Sequence, residues 1–234
     1  MQSLASPSRH KVTASERFGP YTLLRLERGA LQPGEPGQFF MVEAPGRLLP
    51  RPFSLCLAPP GELAFLVDPI GPGTEALCRL GAGDEIGVLG PLGHGYRLDV
   101  ERPLLVGGGI GIAPLPYLAE RLGGSPRVVL GFRSAEHAEA AALMPGAEVV
   151  IDPVLVTELI DPGSDVLACG PEPMLYAVAA LCPTAQLAWE APMACGYGAC
   201  YGCVLEIDGA LKRLCLEGPV LDGARVRAHA EAVA

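Results

Sequence analysis

Pro103-Leu-Leu-Val-Gly107-Gly108-Gly109-Ile-Gly111-Ile-Ala-Pro114 decides the fold. Pro103–Val106 is a short apolar run without polar alternation, as expected of a strand buried on both faces. It ends in glycines, and Pro114 suits the first turn of a helix over Pro114–Leu122. Strand, glycine turn and helix make one βα unit. Reading toward the C-terminus, Arg127–Phe132 predicts a strand and Ala135–Leu143 a helix. Glu148–Ile151 and Asp165–Cys169 predict strands, and Pro171–Leu181 a helix. This alternation predicts a parallel, doubly wound α/β sheet.

In such sheets ligands bind at the carboxyl ends of the strands. Two strings fall there: Gly107 to Pro114, and Ala168-Cys169-Gly170-Pro171. Glycines let a pyrophosphate approach a helix N-terminus closely, although a tight βα turn alone would also use them. Cys169 by itself reads as a buried small residue as readily as a functional one.

Reading toward the N-terminus, the pattern changes. Tyr21–Leu26, Gln38–Val42, Phe53–Leu57, Glu62–Val67 and Glu85–Leu89 are short β-like runs split by Gly and Pro, which predicts a small antiparallel barrel. Within it, Arg51-Pro52-Phe53-Ser54 sets an arginine at a strand start near a hydroxyl, a pair able to hold a pyrophosphate and a ring. From chemistry alone, a surface arginine beside a β-bulge is the favoured reading. Gly71-Pro-Gly73-Thr74 opens a helix over Glu75–Leu80, where Gly and Thr either cap or bind phosphate. His94 falls in a turn and reads as structural. His10, His137 and His229 have no partner visible in sequence, and Cys56, Cys78 and Cys182 read as core.

The C-terminal part, residues 188–234, is rich in Cys and Gly and predicts little regular structure. It contains Met193-Ala-Cys195-Gly-Tyr-Gly-Ala-Cys200-Tyr-Gly-Cys203 and then Cys215. C-x4-C-x2-C with a distant fourth cysteine is the plant-type [2Fe–2S] spacing. Three thiolates on one loop and a fourth from a following hairpin can converge on two irons. The interleaved glycines bring backbone N–H groups to sulfur. Structural zinc would show two C-x2-C knuckles, and this chain has one.

The bulk properties agree. Among 234 residues half are apolar and 18% charged, enough for a real core, and the net charge of −9 lacks the basic footprint of a nucleic-acid binder. No run approaches the roughly 20 apolar residues of a membrane helix. Met1 to Val12 has no apolar signal core, so a cytoplasmic protein is expected. Residues Ala228 to Ala234 are alanine-rich and expected to fray.

Arg51-Pro-Phe-Ser54, Gly71-Pro-Gly-Thr74, Gly107 to Pro114, Cys169-Gly-Pro171 and the four-cysteine segment occur in this order in the ferredoxin reductase superfamily. The set resembles the electron-transfer subunits of type 1B, NAD-dependent dihydroorotate dehydrogenase. There a similar Met-Ala-Cys-Gly-x-Gly-Ala-Cys-x-x-Cys is followed by a hairpin and Cys-x-x-Gly-Pro-Val, here Cys215 to Val220. The resemblance implies an FAD-binding β-barrel over residues 1–98, an NAD-binding α/β domain over 99–187 and a [2Fe–2S] segment over 188–234. By position, it implies that Arg51, Pro52, Phe53 and Ser54 hold FAD, with Leu66, Val67 and Asp68 flanking it and Gly73 and Thr74 on its phosphate. It implies that Gly107, Gly108, Gly109, Gly111, Pro114, Cys169, Gly170 and Pro171 shape the NAD site. Cys195, Cys200, Cys203 and Cys215 would ligate the cluster. Family members often carry a basic residue near Val67-Asp68-Pro69, and Asp68 cannot neutralise a phosphate.

The resemblance further implies a catalytic, FMN-containing dihydroorotate dehydrogenase subunit as partner, in a heterotetramer of two of each, serving pyrimidine biosynthesis. Tyr197, Tyr201 and Leu216–Val220 are expected to line the contact, since aromatic residues favour interface cores. No side-chain general base is expected. A reductase or diaphorase subunit of another redox complex, such as a bifurcating transhydrogenase or a hydrogenase, shares every motif. After the second α/β strand, Glu136 could accept from a ribose hydroxyl and Arg133 could pair with a 2′-phosphate.

Overall fold

The computed structural model describes residues 7–161 and 163–226. The alanine-rich end and His229 lie outside the described residues. The N-terminal half holds strands β1 (Ser8–Phe18), β2 (Tyr21–Glu27), β3 (Phe39–Val42), β4 (Arg51–Ser54), β5 (Glu62–Val67) and β6 (Glu85–Leu92), with helix α1 (Pro72–Cys78) between the last two. They form one antiparallel sheet in the order β4-β3-β6-β1-β2-β5. The chain after β4 closes it: Cys56 and Leu57 exchange backbone hydrogen bonds with Ala64 of β5. The barrel core is apolar and aromatic, with Phe40 and Phe65 edge to face at 5.5 Å amid Leu24, Leu63 and Val88.

β1 has no counterpart among the expected strands. Its eleven residues, Ser-Arg-His-Lys-Val-Thr-Ala-Ser-Glu-Arg-Phe, lack apolar alternation, and its pairing with β2 slips between Val12 and Ala14. Backbone pairing to β2 and β6 holds it in the sheet, and its side chains contribute little to the pattern that sequence reading detects.

The second half alternates as expected: β7 (Pro103–Gly108), α2 (Leu115–Leu122), β8 (Arg127–Phe132), α3 (Ala135–Ala138), β9 (Glu148–Ile151), β10 (Asp165–Cys169), α4 (Glu172–Leu181) and β11 (Gln186–Ala188). The expected helix over Ala135–Leu143 is short α3 followed by a 3-10 turn. The sheet order is β14-β11-β10-β7-β8-β9, with β7 to β11 parallel. The strand order reverses between β7 and β10, so the glycine turn after β7 and Cys169-Gly-Pro171 after β10 face each other at the switch point.

The C-terminal segment carries more regular structure than its composition suggests. β12 (Val204–Ile207) and β13 (Ala210–Arg213) form a hairpin, α5 (Leu214–Glu217) carries Cys215, and β14 (Val220–Asp222) joins the α/β sheet antiparallel to β11. The expected boundary at 187/188 falls inside β11. High Cys and Gly content hides these strands, because turn-forming residues interrupt every apolar run. Two buried hydroxyl contacts fasten barrel and sheet: Tyr96 donates to the Ala168 carbonyl at 2.9 Å and Tyr117 to the Gly34 carbonyl at 2.8 Å. No helix among the described residues is long and apolar enough to cross a membrane.

Candidate functional site

Two concavities meet at the switch point. The first, a groove of about 440 Å³, runs between barrel and sheet. It gathers Arg51, Pro52, Phe53, Ser54, Leu66, Asp68 and Thr74 from the barrel and Pro114 and Cys169 from the sheet edge. The second, about 600 Å³, lies over the strand ends and is lined by Gly108, Gly109 and Pro171 among the expected residues. Asp68 and Ile110 line both.

Arg51 is held by local geometry. Its Nη1 donates to the carbonyls of Leu49 (2.9 Å) and Pro50 (3.2 Å), and the guanidinium lies against Gly73. A Cβ on Gly73 would stand 2.8 Å from Nη2 and 3.0 Å from Cζ. No carboxylate pairs with Arg51 among the described residues, so its charge is free to meet an anion in the groove. Thr74 caps α1: its hydroxyl accepts from the Gly71 N–H and donates to the Gly71 carbonyl. It lines the groove as well, so capping does not remove it from ligand reach.

Val67, Gly73, Gly107, Gly111 and Gly170 stand behind these walls. Their glycines serve packing of the two loops. A Cβ on Gly111 would fall 2.1 Å from the Cys169 carbonyl oxygen, and one on Gly108 2.6 Å from Met174 Sδ. Close approach across the switch point therefore demands glycine there, independently of any ligand. Cys169 is buried, which pushes its thiol well up and keeps it protonated.

In the second pocket His137 is networked. Arg133 Nε donates to His137 Nε2 at 2.7 Å, and Ser134 Oγ lies 2.8 Å from Nδ1. Arginine can only donate, so Nε2 accepts and Nδ1 carries the proton toward Ser134. Tyr21 packs on the imidazole edge at 5.6 Å, and burial, then the Asp68 charge, pushes its hydroxyl up to about 12. Burial likewise raises the Asp68 carboxyl, against Arg133 and His137. Arg133 lines this pocket and Glu136 does not. His10, also buried, bonds Ser8 and the Glu27 carbonyl, while His94 bonds Gly218 through its backbone.

The four clustered cysteines are neighbours: Cys195 lies by Cys200, and Cys215 lies by Cys203 and within electrostatic reach of Cys195. Cys200 is exposed and Cys203 and Cys215 are buried. The Gly202 N–H, with further hydrogen bonds at Cys195, draws the Cys200 thiol down to about 7. Burial, then Cys203, pushes Cys215 up to about 12, while a Gly198 N–H bond lowers it. No group of three or more His, Cys, Asp or Glu is gathered to hold a single metal ion among the described residues. Four thiols on one loop and the adjoining helix, with the Gly202 N–H on the Cys200 sulfur at 3.4 Å, make a donor set suited to a two-iron cluster.

The chain is 34% identical over 211 residues to the dihydroorotate dehydrogenase B (NAD(+)) electron transfer subunit of Clostridium perfringens, covering 81% of this chain and 86% of that one. The corresponding subunit of Geobacillus thermodenitrificans is 39% identical over 225 residues, covering 83% and 88%. The chain belongs to the family of dihydroorotate dehydrogenase B electron transfer subunits. The profile of the iron–sulfur cluster binding domain of dihydroorotate dehydrogenase B matches residues 190–227, which contain all four clustered cysteines. In fold, this family member matches the NADH-dependent reduced ferredoxin-NADP oxidoreductase, with a TM-score of 0.76 at 21% identity over 97% of this chain and 91% of that one. Phthalate dioxygenase reductase matches with a TM-score of 0.59 at 23% identity over 75% and 64%.

Several lining residues of this electron transfer subunit went unread in its sequence. Trp189, Glu190 and Met193 close the groove from the run leading to Cys195, and Asp152 with Val154 to Thr157 close the pocket. Glu190 lines the groove and is exposed, yet the protein around it raises its carboxyl by desolvation. Only the strand order brings these positions to one edge. Tyr197, Tyr201 and Leu216 are exposed, in line with a contact surface, but Gly218, Pro219 and Val220 are buried. Pro219 accepts from the Trp189 N–H and β14 is paired, so that stretch cannot face a partner as expected.

Proposed function

We propose that this chain passes electrons from a dihydroorotate-oxidising, FMN-containing catalytic subunit to NAD⁺, by way of a [2Fe–2S] cluster and FAD, in pyrimidine biosynthesis. Its assembly with that subunit is a heterotetramer of two of each. One observation carries the reading: a single groove is walled by the barrel, by the sheet edge and by Trp189–Met193, the run that leads directly into Cys195. A flavin held there adjoins both the second pocket and the cysteine loop.

In this reading Arg51 to Ser54, with Gly73 and Thr74, hold the FAD pyrophosphate and ring, and Leu66 to Asp68 flank it. Gly107 to Gly109, Gly111, Pro114 and Cys169 to Pro171 shape the floor on which the nicotinamide lies. Cys195, Cys200, Cys203 and Cys215 hold the cluster, with Gly198 and Gly202 donating to sulfur. Flavin, when bound, supplies the exchange between one-electron and two-electron transfer that a cluster and a nicotinamide each lack. The chain supplies orientation and charge: a protonated Cys169, a fixed imidazole at His137 and a free guanidinium at Arg51. No side chain is needed as general base.

Anaerobic purification tests the cofactor set. Yellow-brown protein with flavin, iron and labile sulfide, and a rhombic EPR signal after reduction, is expected. Colourless protein with a single zinc ion overturns the reading. A reductase subunit of another redox complex shares these cofactors, and reconstitution with the catalytic subunit separates the two.

A further inference from the structure

Arg213 occupies a place that neither the motif nor the grooves explain. It ends β13, two residues before Cys215, and its backbone neighbour Leu214 donates to the Cys203 carbonyl at 2.9 Å. Its side chain turns back over the cysteine loop. Nη1 donates to the Gly198 carbonyl at 2.5 Å, and the guanidinium lies 4.4 Å from the centre of the Tyr201 ring. Gly198 lies beside Cys215, whose thiol its backbone draws down. That glycine has φ +87, and a Cβ on it would meet Leu216 at 2.7 Å, so the loop needs glycine there. Tyr201 is itself held at φ 57, an uncommon backbone for a tyrosine.

The charge of Arg213 is also uncommitted. The adjacent Lys212, like Arg225, is paired with Asp208, whereas no carboxylate pairs with Arg213 among the described residues. Arg47 lies across the loop by Cys195 and Cys200, but it is exposed and therefore screened. Arg213 is half-buried.

We propose that Arg213 positions the cluster loop and raises the cluster's reduction potential. It fastens the loop bearing Cys195, Cys200 and Cys203 to the strand leading to Cys215, through Gly198 and Tyr201. It also sets a permanent positive charge against a loop whose bound cluster becomes more negative on reduction. Net charge and hydrogen bonds near the sulfurs are the terms that set such potentials. The role rests on the reading that these four cysteines hold a [2Fe–2S] cluster.

The test uses the full chain loaded with both cofactors, with Arg213→Met and Arg213→Lys. EPR-monitored redox titration reads the potential, and bleaching under an iron chelator reads cluster loss. Arg213→Met removes the charge and the bond to Gly198. It is expected to shift the potential to more negative values and to speed cluster loss about tenfold, as expected for one charge-assisted hydrogen bond. Arg213→Lys keeps the charge but not the planar stack on Tyr201, so the potential stays near wild type while loss still quickens. If Arg213→Met loads no cluster, Arg213→Lys decides by that same split. A wild-type chain without the rhombic signal overturns the cluster reading and this role with it. A wild type with the signal, matched by the variants in potential and loss rate, overturns the role of Arg213 alone.

Discussion

Gly73→Ala separates folding from flavin binding with opposite signs. Gly73 lies in α1 and has no left-handed φ, so alanine fits its backbone. Replacing glycine by alanine inside a helix gains about 0.5–1 kcal/mol. The new Cβ would stand 2.8 Å from Arg51 Nη2 and 3.0 Å from Cζ and Nε, closer than such contacts allow. The guanidinium must move, and a flexible, unpaired side chain moves at small cost to the fold. What is lost is its aim into the groove. A charge-assisted hydrogen bond contributes about 1.5–3 kcal/mol, so FAD should bind about 10- to 150-fold more weakly. Fluorescence titration of the apoprotein with FAD gives the dissociation constant, and thermal unfolding of the same apoprotein gives Tm. The expected outcome is a Tm unchanged or raised with the affinity reduced by tenfold or more. Undiminished affinity would refute the assignment of Arg51 to the pyrophosphate. A matching fall in Tm would trace the effect to misfolding.

Further outcomes follow from other parts of the molecule. Cys200→Ser should abolish the rhombic EPR signal and leave FAD bound, because Arg51 and Cys200 lie on separate segments; a wild-type signal would remove Cys200 from the ligand set. Tyr96→Phe removes the buried 2.9 Å bond to Ala168 that joins the barrel side to the sheet. It should cost about 1 kcal/mol and lower Tm by about 2–4 °C, and an unchanged Tm would show that the hydroxyl is dispensable. Asp68 has its carboxyl raised above the ordinary 3.8 by burial, so the folded state binds this proton more tightly than the unfolded one. Its ionised form therefore lowers stability above the raised pKa, and the loss is relieved as pH falls through it. Asp68→Asn should raise Tm near neutral pH, with the difference shrinking in acid; a pH-independent difference counts against this cause. Leu48 is 96% exposed and lines a groove with Cys195, Tyr197 and Cys200, so a catalytic subunit docked over the cluster in the proposed function would cover it. Leu48→Asp should weaken that association in titration calorimetry while dye reduction by NADH continues, and equal affinity would remove this loop from the contact.

The parts legible in sequence are those where one physical signal dominates. Pro103–Val106 and Val166–Cys169 are uninterrupted apolar runs leading into glycine, and the strands that contain them fall at the expected places. The cysteine spacing is a covalent pattern that needs no tertiary context. β1 escaped because backbone pairing rather than side-chain burial keeps it in the barrel. β14 escaped because three residues after Gly218-Pro219 carry no periodicity, and its partner β11 is equally short. Trp189, Asp152 and Tyr21 reach the site through the strand order, which no local window contains. Arg213 reads in sequence as one of many surface cations; only the turn of its side chain over Gly198 and Tyr201 distinguishes it.

Electron transfer from a partner's dihydroorotate oxidation to NAD⁺ is read as NADH formation from dihydroorotate by this chain, loaded with FAD and cluster, mixed with the purified catalytic subunit. NADH formation is expected only when both subunits are present and is lost with Cys200→Ser, while this chain alone reduces dye with NADH. Dihydroorotate oxidation by the isolated chain, or no NADH from the fully loaded pair, would contradict this transfer.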